Sequence, residues 1–161
     1  MEWSLRPFIE RSHRKRIYVT IFMDKETTYE EMNHQIIRGI VQSGAGKGSY
    51  FTQVDWVVEQ CNRMLGYKPF PGTLNVQVAG EDLKHLDSFL RESDFELVPD
   101  DPAFCSARVK RVMVNNIPGA LILPAEDVRI HEKGVIEIIA ACNLKETLGI
   151  GDGDFVTVAA A

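Results

Sequence analysis

A glycine occupies every second position of Gly44-Ala45-Gly46-Lys47-Gly48, and Ser49 follows. Such a run lets backbone N–H groups turn toward an anion without interference from a Cβ. Lys47 and Ser49 add side chains that can meet phosphate oxygens. Further on, Pro71-Gly72-Thr73-Leu74-Asn75 sets Thr73 and Asn75 two apart on an expected strand, so two neutral oxygen ligands share one face. Mg²⁺ prefers octahedral oxygen ligands, keeps several waters and takes others from substrate phosphates. A phosphate cradle beside a small hard-cation site is the chemistry these two stretches suggest. Each has a plainer reading: the loop as a flexible hairpin, and the Thr-x-Asn pair as the solvent face of an edge strand.

Glu137 is the catalytic candidate. It interrupts the apolar run Val135, Ile136, Ile138 and Ile139. A carboxylate there is costly to bury unless it is paired or opens on a pocket. In a pocket it suits general-base work or a hydrogen bond to a substrate hydroxyl. An ion pair with Arg129, Lys133 or another basic group is the competing explanation. His131 lies nearby, whereas His13, His34 and His85 share no spacing with one another or with the cysteines that would suggest zinc. Gly151-Asp152-Gly153-Asp154 reads as a tight turn before it reads as a cation site. Tyr50 and Phe70 could wall a ring-shaped ligand, while Trp56 and Tyr67 read as core or rim.

The loop is neither of the familiar nucleotide fingerprints. The dinucleotide motif needs a longer spacing and a helix directly after the glycines, and a P-loop ends in Gly-Lys-Ser/Thr. Here the alternation predicts a strand over Ile36–Gln42 entering the loop and another over Tyr50–Val54 leaving it. Asp55 is expected to cap a helix carrying Val57, Val58, Cys61, Met64 and Leu65, with Gly66 as its stop. Leu74, Val76 and Val78 alternate with polar residues as one strand. Leu83, Leu86, Phe89 and Leu90 mark a second helix, and Phe95–Val98 a weak strand. The apolar parity shifts within Ala107–Val114, and a bulge near Lys110-Arg111 would produce that. Asn115–Gly119 is turn chemistry with Ala120–Leu123 returning as a hairpin. Asn143-Leu144-Lys145-Glu146 has capping-box form, and Phe155–Val158 closes the pattern. Many short strands with few helices suggest a small barrel rather than a doubly wound sheet.

The chain has 161 residues, 45% hydrophobic and 25% charged, enough for one domain with a real core. Its formal net charge of -5 argues against bulk nucleic-acid binding. No apolar run is long enough for a membrane span, and no secretory leader is evident at the N-terminus. Cys61, Cys105 and Cys142 lack CxxC spacing and read as buried reduced thiols in a cytoplasmic protein. Residues 1–35 differ from the rest, with the basic run Arg11–Arg16 and a short strand-like Ile17–Phe22. They are expected to form an extension to a barrel domain over residues 36–161.

Three blocks carry a family resemblance: SGAGKGSYF, LGYKPFPGTLNV and VIEIIAACNLKETLGIGDGDFVTV. In order and separation they resemble the archaeal-type CTP-dependent riboflavin kinases, over roughly Ile36 to Val158. The resemblance implies a mainly β protein with short helices, a compact six-stranded cradle-loop barrel. It also implies Mg²⁺-dependent transfer of the γ-phosphoryl group of a nucleoside triphosphate, CTP, to the ribityl 5′-hydroxyl of riboflavin, giving FMN. By position, nucleotide binding falls on Gly44, Ala45, Gly46, Lys47, Gly48 and Ser49, and on Cys142, Asn143, Leu144 and Lys145. The metal falls on Thr73 and Asn75, and flavin contact near the acceptor hydroxyl falls on Glu137. His131 matches the second residue of the family's flavin-contacting Thr-x-His, and Arg129 stands at the Thr. Lys145 replaces an arginine, keeping the charge but not the bidentate fork. In the loop, Lys47 stands at a usually acidic position and Ser49 at a basic one. Two other functions fit the same barrel: a non-catalytic flavin or nucleotide sensor, and a kinase for another small alcohol in which Arg129 meets an anionic substrate.

Overall fold

The computed structural model describes residues 35–125 and 134–161. The expectations for residues 1–34, including the basic run and the Ile17–Phe22 strand, lie outside the described residues, as do those for Arg129, His131 and Lys133. The strands are β1 Ile36–Gln42, β2 Leu74–Val78, β3 Phe95–Leu97, β4 Ala107–Val114, β5 Ile117–Pro124, β6 Val135–Ile139 and β7 Phe155–Ala160. Four short helices are described: α1 Lys47–Phe51, α2 Asp55–Leu65, α3 Leu83–Leu90 and α4 Leu144–Leu148.

The sheet runs β3-β4-β5-β6-β2-β1-β7, and β7 pairs back onto β4. Six strands therefore form a closed antiparallel ring, the barrel expected from the sequence, with β3 appended to β4. β4 makes closure possible by splitting one of its edges. Phe95–Leu97 takes Ala107–Val109, and β7 takes Val112–Val114.

Alternation sorts side chains between two cores. The barrel interior holds Ile37, Val41, Leu74, Val76, Leu121, Ile136, Ile138, Val156 and Val158. Outside the sheet, α2 lays Val57 and Cys61 over Ala107, Val109, Ala120, Ile122 and Ile139. Those two positions of α2 are four apart, the spacing of one helical face. Asp55 lies in its first turn and Arg63 in its last, each favourable to the helix dipole. Gly66 ends it in the left-handed conformation, φ 80°.

The two cores correct one expectation. No bulge interrupts β4, which pairs with β5 without a skip from Ala107↔Pro124 to Val114↔Ile117. The parity shifts because Ala107 and Val109 face the outer core while Val112 and Val114 face the inner one. A strand buried on opposite faces at its two ends produces the same sequence pattern as a bulge. The hairpin turn itself is Asn115-Asn116, both at positive φ, which suits the tight turn joining twisted strands.

Three further expectations change. Tyr50–Val54 is not a strand: α1 covers Lys47–Phe51, followed by a turn. The N-cap of α2 is Val54, and Asp55 is its first residue. Of the three free cysteines only Cys61 is buried, Cys142 being partly so and Cys105 exposed. Burial pushes the Cys61 thiol up to about 11, so it packs as an inert hydrophobe. Among the described residues no helix is long and apolar enough to cross a membrane.

Candidate active site

Alternation along β2 sends Leu74, Val76 and Val78 into the barrel and Asn75 out through its wall. On β6, Ile136 and Ile138 likewise point inward, and Glu137 outward. The β2–β6 register sets Asn75 directly opposite Glu137, so their side chains are cross-strand neighbours. Thr73 stands just ahead of β2 on the same face. Its hydroxyl lies 3.4 Å from Glu137 Oε2, and Asn75 Nδ2 lies 3.4 Å from Thr73 Oγ1. Three residues that the sequence reading assigned to metal and base are thus one contiguous polar cluster.

The glycine loop lies over that cluster. A Cβ on Gly44 would collide with the Asn75 amide, and one on Gly48 with the Thr73 hydroxyl. Close approach, rather than an unusual φ, is what demands glycine at these two positions. Gly46 is the one loop glycine with a left-handed φ, 79°, and it leads directly into α1. Thr52 fastens the arrangement. Its buried hydroxyl donates to the Gly48 carbonyl at 2.9 Å and accepts from the Gly72 N–H at 2.9 Å. The turn before Thr73 is also tied to the end of β6, with Phe70 N–H donating to the Ala140 carbonyl at 2.8 Å.

Two adjoining hollows result. One, of about 240 Å³, is walled by Gln42 through Ser49, Gly72, Thr73, Asn75, Glu137 and Lys145. The other, of about 230 Å³, lies between Phe70–Leu74 and Cys142–Lys145, floored by Ile138 and Ala140. They share Gly72, Thr73 and Lys145. The fold therefore brings together the glycine loop, Thr73, Asn75, Glu137 and the Cys142–Lys145 segment. Phe70 walls the second hollow, whereas Tyr50 is 69% exposed and borders neither. Asn143 caps α4, its Oδ1 accepting from the Glu146 N–H at 3.4 Å, and Gly149 closes that helix, as the capping-box pattern anticipates.

The donor set suits a small hard cation. Asn75 is 7% exposed, and its amide makes only long contacts to Thr73, at 3.4 and 3.5 Å. Turning the amide over would aim Oδ1 at the same point. Among the described residues no cluster of three or more His, Cys, Asp or Glu could hold a metal by itself. Two neutral oxygens with one carboxylate nearby match Mg²⁺ that completes its shell with phosphates and water.

Two contributors were missed in the sequence. Thr52 has no motif, and its only signal is a hydroxyl among largely apolar neighbours. Asp152 was read as turn chemistry, and the turn is present. Its carboxylate also accepts from Lys145 Nζ at 2.7 Å and from the Ser43 hydroxyl. The Lys145 hydrogen bond, then that of Ser43, holds the carboxyl below the usual aspartate range.

Known proteins resemble most of this chain. The model of the CTP-dep_RFKase family, described as a domain of unknown function, DUF120, matches residues 41–160. A riboflavin kinase of Methanobrevibacter smithii is 34% identical over 122 residues, 76% of this chain and 97% of that protein. One from Archaeoglobus fulgidus is 30% identical over 152 residues, 89% of this chain and 62% of that protein. A third, from Saccharolobus solfataricus, is 32% identical over 127 residues, 76% of this chain and 71% of its own length.

Proposed function

Because this chain belongs to the CTP-dependent riboflavin kinase family, we propose that it phosphorylates riboflavin to FMN with CTP as donor. The observation that supports this most is the register of β2 and β6. It sets Asn75 opposite Glu137, with Thr73 beside them, beneath the closely approaching glycine loop.

Phosphoryl transfer needs little covalent chemistry from the protein and much positioning and charge neutralisation. The nucleotide phosphates lie along Gly44–Ser49, where backbone N–H groups and Lys47 face them, and Lys145, which borders both hollows, adds positive charge. Thr73 and Asn75 would hold Mg²⁺, which when bound offsets the negative charge of the phosphates. Glu137 accepts a hydrogen bond from the ribityl 5′-hydroxyl, aims its oxygen at the γ-phosphorus and takes its proton as the new O–P bond forms. The nucleoside diphosphate departs as the bond to the bridging oxygen breaks. The second hollow, with Phe70 and Cys142–Lys145, takes the donor's base and sugar. Free cysteines fit a reducing cytoplasmic setting.

The test is conversion of riboflavin to FMN with Mg²⁺ and each of CTP, ATP, GTP and UTP, separated by chromatography. FMN forms, fastest with CTP, and Glu137→Gln slows it by about a hundredfold. Saturable flavin binding without FMN from any donor would replace the kinase by a sensor. Absence of flavin binding would point to a different alcohol substrate.

A further inference from the structure

We propose that Asp152 is a positioning residue that couples the two nucleotide-contacting segments by holding Lys145 and Ser43 on a single carboxylate. The inference rests on the kinase reading and adds to it a residue outside both hollows. Lys145 belongs to the segment after β6, and Ser43 immediately precedes Gly44. Asp152 lies in the turn between α4 and β7 and meets both, the lysine at 2.7 Å.

That turn is rigidly based. The Gly153 N–H donates to the Val41 carbonyl at 2.8 Å, and the Val41 N–H donates to the Asp154 carbonyl at 2.9 Å. Asp154 in turn accepts from the Gly151 N–H at 2.8 Å. Asp152 is therefore fixed relative to the end of β1, from which the glycine loop springs.

Stability does not account for the pair. Its side chains are 36% and 50% exposed, and an ion pair in that setting adds little to stability. Its value lies in what is already ordered before a ligand arrives. A free lysine side chain samples many rotamers, and α1 buries no residue that would steady the loop. A carboxylate that orients Lys145 and tethers Ser43 removes part of the cost of ordering them around a triphosphate.

The test measures Mg²⁺–CTP binding to the full chain by calorimetry without riboflavin, alongside steady-state kinetics. Asp152→Ala weakens CTP binding about tenfold, and Asp152→Glu restores part of it. KM for riboflavin, kcat at saturating CTP and the melting temperature stay near their original values. In a double-mutant cycle with Lys145→Ala, the two losses are less than additive, since one side chain acts through the other. Unchanged CTP affinity in Asp152→Ala overturns the proposal. So do parallel losses for CTP and riboflavin with a lowered melting temperature, which mark a merely structural role. Absence of FMN from the unaltered protein ends the kinase reading instead. Turnover by that protein with intact CTP affinity in the variant ends only this inference.

Discussion

One cross-strand row on the outside of the barrel changes character halfway along. Phe95, Val109 and Ile122 are successive partners across β3, β4 and β5, and all pack in or against the outer core. The same row continues through Glu137, Asn75 and Gln42 on β6, β2 and β1, where all three line a hollow. The backbone ladder is continuous, but the cover differs. Over the first half lies α2, whose Val57 and Cys61 exclude water. Over the second half lies a glycine loop that presents no side chain at its closest points. A helix makes a core of the wall beneath it, and a loop stripped of Cβ atoms leaves that wall chemically addressable. Glu137 is the first residue past the boundary, with Ile122 on one side and Asn75 on the other.

The sharpest way to break this contrast is to exchange what each half loses on mutation. Asn75→Ala should lower FMN formation by up to about a thousandfold, the scale of removing one well-placed electrostatic group. Its melting temperature should stay within a few degrees of the original, roughly. A collapse of stability with activity retained would make Asn75 a packing residue and erase the distinction. On the apolar side, Leu97 is fully buried against the outer core. Leu97→Ala should cost about 3 kcal/mol and lower the melting temperature by about 10 °C, while CTP affinity is preserved. Loss of nucleotide binding without loss of stability would show that the halves are not separable.

A smaller effect checks that electrostatics away from the row act on folding alone. Asp82 is 6% exposed at the head of α3, and its carboxylate accepts from the Arg38 backbone N–H at 2.8 Å and from the guanidinium at 3.1 and 3.2 Å. The Arg38 hydrogen bond chiefly holds the Asp82 pKa below its ordinary value. A carboxylate so depressed contributes stability that is full above the ordinary aspartate range and is lost as pH falls through its folded value. Asp82→Asn should lower stability by about 1–2 kcal/mol at neutral pH and flatten the acid side of the melting profile. KM values should not move, and a profile as steep as the original would remove the assignment.

Legibility followed the same divide. Where one face of a strand meets one environment, period-two alternation sufficed: β1, β2 and β7 lie close to their expected places. Glu137 stood out because it is a carboxylate among four aliphatics, and its outward register explains it. The signal failed where context decides. In Ala107–Val114 both faces are buried at different ends, and only the three-dimensional partners β3 and β7 reveal that. In Lys47–Phe51 a single turn of helix fully buries no residue, only Phe51 resting against the outer core, so no periodicity marks it. Thr52 and Asp152 work through contacts with residues distant in sequence, which no local pattern encodes.

The split edge of β4 has a consequence for behaviour in a crowded solution. Because β7 closes the ring, the described strand order leaves β3 as the only strand with an open side, and β3 is three residues long. Glu96 stands exposed at its centre, with Glu92 and Asp94 exposed just before it. A short edge bearing negative charge is a poor template for another chain to extend. Opening the β4–β7 seam would expose two longer edges at once, so aggregation on heating should begin there and accelerate when Val114→Asp loosens that junction.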